Sequence, residues 1–109
     1  MAKAEIDSGI CGMHTTVWAK TDMATYRCKL RIESDCEAIQ KLAEEIQEVN
    51  ALQEISLRMG DGPEILRKGM AICFHSSCPV PVGIIKTVEV ASVLALPKDV
   101  SIKISKEDD

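Results

Sequence analysis

An α+β fold is expected, with a mainly antiparallel sheet of three to four strands and two to three helices packed on one face. Three observations lead there. Short stretches rich in β-branched residues come first, and one of them alternates apolar and polar residues. Segments with apolar residues three and four apart follow. A last alternating stretch closes the chain. At 109 residues and 11.9 kDa the chain is the size of one domain, read as 1–109 with 106–109 as a frayed tail.

The elements follow in order. Residues 4–7 begin an extended stretch that runs into Ser8-Gly9-Ile10-Cys11-Gly12, where two glycines around a cysteine suggest a tight turn. Residues 14–20 (HTTVWAK) favour a strand, with Trp18 assigned to the core, and Thr21-Asp22-Met23-Ala24 reads as a hairpin turn. Residues 25–33 (TYRCKLRIE) place Tyr26, Cys28, Leu30 and Ile32 on one face and Arg27, Lys29 and Arg31 on the other. Ser34 and Glu37 have the spacing of a capping box, which opens a helix with Cys36 in its first turn and Ile39, Leu42, Ala43, Ile46 and Val49 along one side. Gly60-Asp61-Gly62-Pro63 is a loop, and a second helix runs from Glu64 to about Cys73. A third, apolar nearly all round, spans residue 82 to about 96 and is stopped by Pro97. Val100, Ile102 and Ile104 then alternate into a last strand.

Composition narrows the function. Thirteen Lys and Arg against seventeen Asp and Glu give a net charge of -4, which argues against nucleic acid as a main partner. One Trp, one Tyr and one Phe do not make a base-stacking platform. The apolar stretch 80–96 is interrupted by Lys86 and Glu89 and falls short of the roughly 20 residues a membrane-spanning helix needs. Residues 1–9 are charged throughout and carry no apolar run, so a cytoplasmic protein is expected. In that compartment five cysteines are expected as free thiols, metal ligands or redox groups rather than as a disulfide framework.

Three of the cysteines stand at structural punctuation: Cys11 in the glycine-flanked turn, Cys36 and Cys78 at helix starts. A helix N-terminus favours thiolate over thiol, and thiolate is the form that binds metal or attacks as a nucleophile. His75, three residues before Cys78, can add a nitrogen ligand. Zinc takes four such ligands tetrahedrally, and an iron–sulfur cluster takes cysteine with occasional histidine. Cys73 lies on an apolar helical stripe, which suits core packing, yet it is only five residues before Cys78. Cys28, mid-strand beside Leu30 and Ile32, reads as core. Paired C-x-x-C knuckles, a phosphate loop and a Gly-x-Ser-x-Gly elbow are all absent from the sequence.

The order Cys11-Gly12, then Cys36 at a helix start, then a cysteine-bearing segment opening a final helix resembles the U-type iron–sulfur scaffold proteins. Ser77-Cys78-Pro79 with the upstream Cys73 is similar to the TSCPD domains. The strings GICG, ESDC, HSSCPVP and LALPKDV resemble an uncharacterised family of small proteins from anaerobic archaea and bacteria. The resemblance implies a metal or cluster site shared by Cys11, Cys36 and Cys78, with His75 or Cys73 as the fourth ligand. The sequence departs from U-type scaffolds where Met13 stands in place of an Asp, where two serines separate His75 from Cys78, and where Leu96-Pro97-Lys98 follows the site instead of preceding it. It departs from the TSCPD pattern at Val80, where an Asp is usual.

These readings together lead to an expected small cytoplasmic metal-binding protein, an iron–sulfur cluster carrier, scaffold or accessory factor, working with a protein partner that donates or receives the cluster. Gly12 would bring backbone N–H groups close to cluster sulfides. The alternatives are a structural-zinc interaction module without enzymatic activity and a thiol redox enzyme built on Cys36 or Cys78. Oligomeric state stays open.

Overall fold

The computed structural model describes residues 1–58 and 60–108. Three strands come first: β1 (Ala2–Asp7), β2 (His14–Asp22) and β3 (Arg27–Ser34). They are followed by α1 (Glu37–Glu45), a short β4 (Glu48–Asn50), the single turn α2 (Ala51–Glu54), α3 (Glu64–Ile72) and α4 (Val80–Ala91). The strands pair antiparallel as a meander, in the order β1-β2-β3-β4. Ala2, Val17, Ala19, Cys28 and Val49 line its inner face, where they pack with Ile39, Leu42, Ile65, Ile84 and Val88 of the helices. The α+β fold is therefore as expected, with four strands and four helices.

Strand alternation decides which side chains face water. The outward face carries Lys3, Glu5, Trp18, Lys29, Arg31 and Glu33, aligned by the register Lys3–Trp18–Arg31. Trp18 is thus corrected from core to open face. It is half-buried there because the Arg31 guanidinium lies 3.7 Å from its ring centre and Lys3 Nζ lies 5.8 Å away. Hydrophobicity argued for the core, but the period of two puts Trp18 between Val17 and Ala19 and so on the other side.

Helix boundaries shift for identifiable reasons. Ser34 is the last residue of β3, not the cap of α1. Its hydroxyl bonds Thr15 (2.8 Å) and accepts the Cys36 N–H (3.1 Å), so no capping box forms with Glu37. Cys36, with extended backbone, is the N-cap. The helical spacing that seemed to run on to Val49 stops at Glu45, because Ile46 leaves the helical region. Val49 continues the inner face of the sheet as the middle of β4. At the end of α4 the helix closes at Ser92 instead of near residue 96. The Val93 N–H bonds the Val90 carbonyl, the Leu94 N–H bonds the Glu89 carbonyl, and Val93 takes a positive φ of 58. The expected last strand is absent among the described residues: Val100, Ile102 and Ile104 are exposed and outside regular structure. No helix of the described residues is long and apolar enough to cross a membrane.

Candidate functional site

The strand directions gather the cysteines. β1 ends and β2 begins at one end of the sheet, where β3 also ends, since Asp7 pairs with His14 and Thr15 with Ser34. α1 starts from this end. α4 runs away from it, because its C-terminal neighbour Ser92 is hydrogen-bonded to Thr21 at the opposite end (2.8 Å). Cys11, Cys36 and Cys78 therefore belong to the same end of the fold, as do His14 and His75. Cys73, the C-cap of α3, joins them through the short loop to α4. Cys28 pairs with Val49 and Thr21 at the other end and is fully buried.

Within this group Cys36, Cys73 and Cys78 come together. All three are free thiols, partly buried, and packed against the core. Cys73 is hydrogen-bonded to the Cys78 side chain and feels both Cys78 and Cys36. Burial first, then these neighbouring thiols, push the Cys73 thiol up to about 11. The cause is physical: removing a proton there places a negative charge in a partly apolar site beside two more thiols.

Each of the three is positioned by backbone. Cys36 is held by the Ser34 hydroxyl through its N–H, and its carbonyl accepts the Gln40 N–H at 2.9 Å. Asp35 just before it is locked to β2, its N–H donating to the His14 carbonyl and its carboxylate accepting the His14 N–H. That carboxylate holds the start of β2 through Oδ2. Cys73 is tied by its N–H to Gly69 O (2.8 Å), and Cys78 by its N–H to His75 O (3.2 Å). α3 and the start of α4 touch where Gly69 has no side chain; a Cβ there would lie 2.9 Å from the Pro81 ring. This close approach brings the end of α3 near the start of α4, and so Cys73 near Cys78.

The remaining candidates lie outside the trio. Cys11 is exposed near the tip of the predicted turn, which the Gly12 N–H closes onto Gly9 O at 2.9 Å. The Gly12 amide is thus bonded within the turn. His75 is exposed on the loop between Cys73 and Cys78. Among the described residues no three His, Cys, Asp or Glu side chains form a ready-made cage for a metal ion. Sulfur and imidazole are the donor types that thiophilic metals prefer, and three thiols with a fourth sulfur and an imidazole stand at this end of the sheet. A shallow groove of about 230 Å³ beside Ile55, Leu57, Leu66, Val82 and Ile85 has neither thiol nor imidazole in its walls.

The sequence leaves Cys73 between core packing and a fourth ligand; the structure puts it beside Cys78 and leaves Cys11 exposed, outside the trio. The five-residue separation of Cys73 and Cys78 across a helix end and a helix start was the signal.

No curated protein and no solved structure matches the chain. One family model does, described as a family of unknown function, DUF6951, and it covers residues 2–104, nearly the whole sheet-and-helix body and the alternating segment beyond it. The chain accordingly belongs to the DUF6951 family.

Proposed function

We propose that this chain is a metal-binding protein, an iron–sulfur cluster carrier, scaffold or accessory factor, that takes its metal at the thiol end of the sheet. The observation that carries the reading is the convergence of Cys36, Cys73 and Cys78 from three separate helix ends. The crowding that keeps Cys73 protonated is the electrostatic situation a cation reverses, since a coordinated thiol gives up its proton outright. Cys36, Cys73 and Cys78 are the sulfur ligands on this reading, and Cys11 or His75 supplies the fourth. A bound iron–sulfur group would add one-electron chemistry or serve as cargo for a protein partner. The order Cys11-Gly12, Cys36 at a helix start and Cys78 before the last helix, which resembles the U-type scaffolds, and Ser77-Cys78-Pro79, which resembles the TSCPD domains, support the same assignment.

A structural zinc is the second reading. It is favoured by the packing of the three thiols against the core, where a four-coordinate ion would staple α1, α3 and α4 to one another. Metal and acid-labile sulfide analysis of protein purified without oxygen separates the two. Iron and sulfide in near-equal amounts establish a cluster, whereas zinc at about one per chain without sulfide establishes the staple. Cys36→Ala should abolish retention of either and Cys28→Ala should leave it intact. Absence of both metals, or equal loss from the two variants, overturns the proposal.

A further inference from the structure

Beyond the thiol end, the segment after α4 is unlike the rest of the molecule. Residues 93–108 are all exposed, among them Leu96 at 89%, Val100 at 64%, Ile102 at 76% and Ile104 at 90%. The molecule measures 52 × 28 × 26 Å, so its long axis is nearly double the others. Apolar side chains at 100, 102 and 104 alternate with Ser101, Lys103 and Ser105, the period of a strand with one face to be covered. The family match reaches Ile104. Val93 is a β-branched residue held at a φ of 58, in the left-handed region that such residues rarely adopt. The two hydrogen bonds that hold it there, from Val93 N–H and Leu94 N–H back to α4, fix the direction in which the tail leaves.

The sheet offers the matching surface. β1 is an edge strand, paired only with β2, and presents a row of backbone groups to a further strand. Its inner side is Ala2, Ala4 and Ile6, and its outer side is Lys3, Glu5 and Asp7. A strand with Lys103 opposite Glu5 puts Ile102 and Ile104 on the inner side beside Ala4 and Ile6, and does so whether it runs parallel or antiparallel. The net negative outer side of β1 at Glu5 and Asp7 complements Lys103.

We propose that residues 100–104 add as a fifth strand to the β1 edge of a second copy of this chain, by reciprocal exchange in a two-fold dimer. Exchange of identical elements closes on itself and leaves neither edge open. The occupant is a second copy because the tail, exposed from residue 93 to 108 in a molecule 52 Å long, is not packed on its own body.

Sedimentation equilibrium of the full chain at micromolar concentration tests this, together with amide exchange. The expected result is twice the 11.9 kDa chain mass, with slow exchange at 100–104 and along β1. Ile102→Lys should give a monomer that melts as a folded protein, since residue 102 lies outside the core. Lys103→Glu and Glu5→Lys should each weaken the dimer about tenfold, because each like-charge pair occurs twice, and the double variant should restore it. A monomeric wild-type chain overturns the proposal, whether residues 100–104 exchange fast or are protected by pairing in the same copy. A dimer indifferent to Ile102→Lys, or a double variant no better than the single ones, overturns it as well.

Discussion

The two ends of the sheet use the same three strands and are finished in opposite ways. At the end of Thr21 and Cys28 the buried polar groups are tied into the core. Cys28 is fully buried, Ser92 is buried with its hydroxyl on Thr21, and the buried Glu54 carboxylate accepts the N–H groups of Glu64 and Ile65 at 2.9 and 2.7 Å, which caps α3 from another element. At the end of His14 and Ser34 the backbone is equally well bonded, but the side chains presented are thiols and imidazoles, partly or fully exposed. One end closes the core and the other holds reactive groups in place without burying them. A cysteine here is therefore read by which end of the sheet it occupies: Cys28 and Cys36 are eight residues apart, yet the first is buried at the closed end and the second is partly exposed at the other.

The largest effect should come from breaking the closed end. Glu54→Ala leaves two N–H groups at the start of α3 without their acceptor, one of them buried, at a cost of roughly 3 kcal/mol read from denaturant midpoints. Burial raises the Glu54 carboxyl above its ordinary range, outweighing the two backbone bonds that lower it. The folded chain thus holds this proton more tightly than the unfolded one. Its contribution is full below the ordinary carboxylate range and is lost as pH rises through the folded value. Glu54→Gln should remove that slope and cost less than alanine.

Next in size is the joint between α3 and α4. Gly69→Ala adds a methyl 2.9 Å from the rigid Pro81 ring, and the overpacking should exceed the helix-propensity gain of about 1 kcal/mol. On the proposed metal-binding reading, the net loss of about 1 kcal/mol or more should appear together with weaker metal retention, because the same contact sets Cys73 near Cys78. A variant that melts lower yet retains metal fully would show that the thiol end does not depend on this joint.

How much of this could be read from the chain alone follows from the range of the forces involved. Strand-favouring composition and period-two alternation are both local, so β2 is legible from the first and β3, with the burial of Cys28, from the second. The turn at Cys11 is legible too, because Gly9 and Gly12 both need positive φ. β4 is not, since three residues after a helix give no periodicity of their own and Val49 also fits the helical pattern. Trp18 was misplaced because hydrophobicity outvoted register. The trio of thiols depends on α4 running antiparallel to α3, a tertiary fact that no spacing records, and Glu54 becomes a cap only once α2 meets α3.

A smaller effect concerns reactivity. With its thiol raised from 9.0 to about 11, Cys73 has about a hundredth of the thiolate of an unperturbed thiol near pH 8. Alkylation followed by mass spectrometry should therefore label exposed Cys11 first and Cys73 late, with Cys28 reacting only on unfolding. Any stability that rests on protonated Cys73 is present below about 9 and is lost as pH rises through about 11. Rapid labelling of Cys73 at neutral pH would mean that the three thiols are not crowded as described.

The smallest effect lies between the two ends and serves as their control. Trp18 is the chain's one tryptophan, and its ring is covered by Arg31 on the open face of the sheet. Arg31→Ala removes a cation–π contact worth about 0.5–1 kcal/mol at an exposed site. It also uncovers the indole, so the emission should shift to longer wavelength. Arg31 faces away from the helices, at mid-strand, so neither the Glu54 cap nor the thiols should register the change. Metal content and the order of cysteine labelling should match the parent chain, with the melting temperature lowered by only a few degrees. If Arg31→Ala instead changed the labelling of Cys36 or Cys73, the outer face and the thiol end would be coupled through β3, and the division of the molecule into independent ends would fail.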